Sequence, residues 1–151
     1  AGWGKKLPSG HAQGIAVAES FASYVAMVAE VSIDNGAVRV HRMTCAIDCG
    51  MTVNPNSIRA QMEGAIVYGL TATLKGEITI AGGQVQQRNF DDYPLLRLEE
   101  CPDIDVHIVD SEQAPGGVGE PGVPPTAPAV ANAVFALTGK PVRSLPLQID
   151  S

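Results

Sequence analysis

Lysine and arginine are scarce and scattered, ten of them against sixteen acidic residues in 151 positions, for a net charge of −6. A nucleic-acid surface, which needs a dense basic patch to neutralise phosphates, is thereby excluded. No apolar run approaches the roughly 20 residues that cross a bilayer, so no membrane span is expected. Cysteine is limited to Cys45, Cys49 and Cys101. An odd set without CxxC spacing makes neither a disulfide framework nor a zinc site, and reads as small buried hydrophobes. His11, His41 and His107 are too widely separated for metal-ligand spacing and read as ordinary histidines. A Ser nucleophile elbow and a phosphate-binding glycine fingerprint are also missing. The chain starts at Ala1 with no basic-then-apolar leader, so a processed piece or a portion of something larger is expected.

What remains is globular in composition: 45% apolar and 17% charged residues rule out the profile of disorder, and the length suits one compact unit. Residues 1–14, "AGWGKKLPSGHAQG", read as an irregular arm with Trp3 as its anchor, and residues 15–151 as one domain. "SYVAMVAEVSID" and "AVRVHRMTCAID" are β-prone runs separated by Asn35-Gly36, whose easy positive φ suits a tight hairpin. Neither face of the second run is purely polar, which predicts cover on both sides.

Asn54-Pro55 marks a helix start, with Asn as cap and Pro at the first helical position; the helix is expected from Pro55 to about Leu74. Its stripe of Ile58, Met62, Ala65, Ile66, Gly69, Leu70 and Thr73 faces the sheet, while Gln61, Gly64 and Tyr68 lie off it. A second hairpin is expected around Gly82-Gly83, a strand over "DIDVHIV", and a nearly apolar second helix over 124–138 ending at Gly139. The fold class is α+β: a mixed or antiparallel sheet with β-hairpins covered by two main helices.

The stretch "PGGVGEPGVPPTAPAV", 115–130, isolates Glu120. Gly119 allows close approach of the backbone to a ligand, and Pro121 biases Glu120 toward an extended conformation just ahead of a helix start. The local field would lower the carboxyl pKa and burial would raise it. On these mechanics Glu120 reads as an aimed functional group or, more commonly, as an exposed loop carboxylate. Gln61 and Glu63 beside Gly64 form a second polar pair, for which a solvated helix face is the ordinary explanation. "NFDDYP", 89–94, crowds Asn89, Asp91 and Asp92 into what self-capping explains as a turn.

Taken together, "DCGMTVNPNSIRAQMEGAIVYGL", "NFDDYPLLR" and "GGVGEPGVPPTAPAVANAVFALTGK" resemble the C-terminal part of the molybdenum-cofactor subunit of the xanthine oxidase and aldehyde oxidoreductase family, nearest the isoquinoline 1-oxidoreductase large-subunit type. The resemblance runs from "GWGKKLPSG" to "VRSLPL", and the QxEG and GxGE pairing carries most of its specificity. It implies a molybdopterin cofactor whose dithiolene holds the metal, so that no protein metal ligands are needed. It implies oxidation of an N-heterocycle or an aldehyde with water-derived oxygen. Glu120 would be the general base that takes a proton at the molybdenum centre, Gln61 a hydrogen-bonding contact to the cofactor, and Gly119 part of the cofactor-binding loop. The implied partners are an iron–sulfur small subunit with [2Fe–2S] clusters, in some relatives a cytochrome, and the remaining part of the large subunit. The upstream GQG segment of that family has no counterpart here, so this chain alone is expected to be inactive. The compartment, bacterial cytoplasm or periplasm, stays open. The alternative is a non-catalytic folded module that assembles with other chains or, as a homo-oligomer, with itself.

Overall fold

The computed structural model describes residues 1–149, and the last two residues of the domain expected over 15–151 lie outside that range. Strands β1 (His11–Ser20), β2 (Ser23–Asp34) and β3 (Ala37–Asp48) form an antiparallel meander. Helix α1 (Pro55–Leu74) leads through a small two-stranded sheet, β4 (Ile80–Ala81) with β5 (Gln84–Val85), to β6 (Asp103–Ile108), which pairs parallel to β3. Helix α2 (Thr126–Thr138) follows. The main sheet has the order β1-β2-β3-β6, a mixed sheet as the α+β class requires.

Local chemistry accounts for the boundaries. Asn54 Oδ1 accepts the backbone N–H groups of Asn56 and Ser57, both at 3.1 Å, and Pro55 opens α1. Gly139, at φ 70°, closes α2 by donating its N–H to the Phe135 carbonyl at 2.8 Å. Asn35 and Gly36, at φ 52° and 77°, make the expected hairpin between Asp34 and Ala37.

Both helices pack on one face of the sheet. Val25, Met27, Ala29 and Val31 of β2 and Met43, Cys45 and Ile47 of β3 meet Ile58, Met62, Ile66 and Leu70 of α1 and Ala129, Val130, Ala133 and Val134 of α2. Gly14 is what lets α2 lie on β1, because a Cβ there would collide with the backbone of Ala129 and Ala133. The α1–α2 crossing is tight as well, with a Cβ on Gly69 falling 2.9 Å from Thr126 Cβ. Burial raises the Cys45 thiol to about 12 and pushes the Cys49 thiol upward too, so both behave as core atoms. No helix among the described residues is long and apolar enough to cross a membrane.

Two expectations are corrected. The irregular arm ends at Gly10, because His11–Gly14 are the first residues of β1, paired with β2 from Ser32 to Ala29. Trp3 does not anchor the arm, being 56% exposed. The hairpin expected at Gly82-Gly83 forms, with two exposed residues on each side and apart from the main sheet. Cover on the second sheet face is partial among the described residues: Val28 and Thr44 are buried there, whereas Ile15 and Val17 of β1 and Tyr24 of β2 are exposed.

Candidate functional site

The glycine-rich stretch after β6 is laid across the ends of β2 and β3. Gly116 donates its N–H to the Cys49 carbonyl at 2.9 Å, and Gly117 to the Phe21 carbonyl at 2.8 Å. The two glycines are needed for this fit. A Cβ on Gly116 would lie 2.5 Å from the Ala22 carbonyl oxygen, and one on Gly117 would lie 2.7 Å from Phe21 Cβ. The turn beneath them is unusual in its own right, since Phe21 and Ala22 adopt φ of 55° and 57° without being Gly, Asn or Asp. Each such residue costs on the order of 1 kcal/mol.

Beyond Val118 the loop reaches α1. Gln61 projects from the exposed side of that helix, one position before the buried Met62. Gly119 lies beside it, and a Cβ built on Gly119 would meet nothing nearer than Gln61 Nε2, at 3.8 Å. Glu120 follows and is exposed, then Pro121 and Gly122 turn inward and are buried. Gly122 rests on α1, where a Cβ would come 2.9 Å from Ala65 Cβ and 3.2 Å from Met62 Sδ. The Glu120 carbonyl accepts the Val123 N–H at 2.9 Å, and the Val123 carbonyl accepts the Thr126 N–H at 3.1 Å, so the chain turns directly into α2.

The three sequence-derived site residues, Gln61, Gly119 and Glu120, are thus neighbours on one surface although Gln61 is some sixty residues from the other two in the chain. None of the four side-chain ion pairs among the described residues includes Glu120. A recess of about 210 Å³ lies between Val118 and the start of α1, walled by Cys49, Met51, Val53, Ile58 and Val118, with none of the three residues in its lining. Gly64, one turn along α1 from Gln61, is exposed with no atom within 4 Å of an added Cβ.

The other candidates lie apart from this surface. Asp92 caps its own turn, accepting N–H groups from Arg88 at 2.8 Å and Asn89 at 2.8 Å, and these bonds hold its carboxyl below the usual range. Among the described residues no group of three or more His, Cys, Asp or Glu is placed to hold a metal ion. The histidines are less ordinary than their spacing implied. His11 and His41 stack with ring centroids 4.2 Å apart, His11 Nδ1 lies 2.8 Å from Glu30 Oε1, and His41 Nε2 lies 2.9 Å from Ser32 Oγ. Strand pairing creates that cluster, and residues from three separate strands carry no common sequence signal.

Residues 6–102 match the family described as "Molybdopterin cofactor-binding domain". The chain is 40% identical over 141 residues to the isoquinoline 1-oxidoreductase subunit beta of Brevundimonas diminuta, covering 92% of this chain and 18% of that protein. It is 33% identical over 153 residues to the membrane-bound aldehyde dehydrogenase [pyrroloquinoline-quinone] of Gluconacetobacter polyoxogenes, covering 97% and 20%. Its fold superposes on quinoline 2-oxidoreductase from Pseudomonas putida 86 with a TM-score of 0.75 at 25% identity, over 82% of this chain and 17% of that one. The chain therefore spans about a fifth of the length of these curated relatives.

Proposed function

Because the chain belongs to the molybdopterin cofactor-binding domain family, we propose that it supplies one wall of the molybdenum site of a hydroxylase large subunit, with Glu120 as general base and Gln61 and Gly119 as cofactor contacts. The observation that carries this reading is the approach of Gln61 Nε2 to the side-chain-free edge of Gly119, next to an unpaired carboxylate. The residues fit such a group. An added Cβ on Gly119 would project into the space beside the Gln61 amide, where a bound molecule needs clearance, and the amide offers both a donor and an acceptor.

When bound, the molybdenum–pterin group supplies the redox centre at which a water-derived oxygen is added to substrate carbon. This chain's residues contribute orientation and proton transfer. Gln61, fixed on a helix whose adjacent Met62 is buried, holds the group by its amide. Glu120, fixed between the anchored Gly117 and the buried Pro121, accepts the proton at its carboxylate. The substrate is an N-heterocycle or an aldehyde, the two classes named by the relatives. One relative's name carries a quinone cofactor; the molybdopterin assignment is preferred because the matching family covers this chain's own residues 6–102, Gln61 among them. The remaining part of the large subunit, an iron–sulfur small subunit with [2Fe–2S] clusters and in some assemblies a cytochrome complete the enzyme.

The test is Glu120→Gln in the assembled enzyme. Turnover per bound molybdenum should fall roughly 10²-fold to 10⁴-fold with molybdenum content unchanged. Full turnover in that variant sinks the base assignment. A second reading, a non-catalytic module that pairs with itself, draws on the uncovered Ile15, Val17 and Tyr24. Sedimentation of the chain across a concentration series tests it, and a monomer throughout rejects it.

A further inference from the structure

Two fully buried hydroxyls hold the backbone on either side of Glu120. Ser23, at 0% exposure on the first position of β2, donates from Oγ to the Gly117 carbonyl at 2.7 Å. Thr126, also at 0% on the first turn of α2, donates from Oγ1 to the Gly122 carbonyl at 2.9 Å. The Gly117 carbonyl lies three residues before Glu120 and the Gly122 carbonyl two residues after it. We infer that Ser23 and Thr126 are positioning residues that together set the placement of the Glu120 carboxylate, an inference that rests on the general-base reading above.

The surroundings make the two hydroxyls effective. Gly116 and Gly117 have no side chains to hold them, and Gly117 is tied to a Phe21-Ala22 turn that is itself strained. Without Ser23 Oγ, the half-buried Gly117 carbonyl would lack its partner, and the loop would relieve that by shifting toward water. Thr126 does the same at the downstream end, where Gly122 is wedged against Met62 and Ala65 of α1. The loop between these fixed carbonyls is six residues long, with Gly119 and Glu120 at its exposed middle. A carboxylate on so short a span moves when either end moves, and misplacement of a reacting group by about 1 Å costs on the order of 10²-fold in rate.

Two measurements test this. In the chain itself, Ser23→Ala should speed amide hydrogen exchange at Gly116 and Gly117, and Thr126→Val at Val123, while the β2–β3 ladder keeps its protection. Thr126→Ser, which keeps the hydroxyl, should restore slow exchange. In the assembled enzyme, Ser23→Ala or Thr126→Val should lower kcat per bound molybdenum on the order of 10²-fold with KM little changed. In the Glu120→Gln background the same substitutions should add no further loss, since they act through that carboxylate. Unchanged exchange at these amides overturns the inference whatever Glu120 does, and so does a loss that is equally large without Glu120. Full turnover in Glu120→Gln removes the base reading instead, leaving the exchange result to stand by itself.

Discussion

Gly119 and Gln61 face each other across a gap that a single methyl group would narrow to 3.8 Å, and apart from the two residues flanking Gly119 no other residue comes within 4 Å of that point. The space beside Gly119 is therefore kept open from both sides, by a missing side chain on the loop and by an amide on α1.

The glycines of this loop separate into two kinds by experiment. Gly119 lies outside the left-handed region and has room for a Cβ, so Gly119→Ala should leave thermal stability within about 0.5 kcal/mol. The same variant should lower molybdenum and pterin content in the assembled enzyme, as read by metal analysis. Gly117→Ala should instead cost roughly 1–3 kcal/mol in urea unfolding, because its Cβ would meet Phe21 Cβ at 2.7 Å.

Gly14→Ala should be among the most damaging single-methyl changes. The opposing atoms are the backbone of α2 at Ala129 and Ala133, which cannot rotate aside as a side chain would. A loss at the upper end of roughly 1–3 kcal/mol is expected in chemical unfolding. Near-wild-type stability would show that α2 does not press on β1.

Acid should weaken one surface contact in a defined way. Lys75 Nζ donates to both Glu100 carboxylate oxygens at 2.6 Å, and the Arg97 N–H adds a bond at 2.8 Å. Lys75 first and the Arg97 N–H second hold the Glu100 carboxyl below its ordinary range. A depressed carboxyl contributes stability that is complete above its unfolded value, about 4.3, and is lost as pH falls through the folded value. Both side chains are partly exposed, so the contribution stays below about 1 kcal/mol. The advantage of the wild type over Glu100→Gln in urea midpoint should be constant from pH 7 to 5 and shrink as pH falls below the unfolded value of about 4.3.

The His41 ring acts in the opposite sense. Burial, then the adjacent His11, pushes its pKa down, with Arg39 in the same direction and Glu30 and Asp34 opposing. The unfolded chain then binds the proton more readily, so stability declines as pH falls below about 6.5 and levels off below the folded value. His41→Gln should flatten the unfolding midpoint between pH 7 and 5. An unchanged slope would assign it to other groups.

Residues with local consequences were readable from the chain. Asn54-Pro55 and Gly139 bound their helices, Asn35-Gly36 makes its hairpin, and the α1 stripe from Ile58 to Thr73 is buried. Strand β1 was not readable, because its sequence, with three alanines and a glycine in ten residues, lacks a strong β signal and its turn is Phe21-Ala22, a pair that advertises no positive φ. The glycines and the carboxylate of the site could be seen in sequence, and their family resemblance assigned them roles. Ser23 and Thr126 could not be seen, since a serine in a strand and a threonine at a helix start are everyday residues until a distant carbonyl is placed against them.

The parallel pairing of β6 with β3 also sets an order of events in folding. β1, β2 and β3 are joined by two-residue turns and can zip locally, whereas Arg42 meets Asp103 only after the loop of about sixty residues containing α1 has closed. Gly116 and Gly117 reach Cys49 and Phe21 after that closure, so protection in pulse-labelled exchange should come to the meander first and to these amides last. Before that closure the Gln61 amide has no loop opposite it. The facing of Gly119 and Gln61 is thereby timed to the last strand to dock.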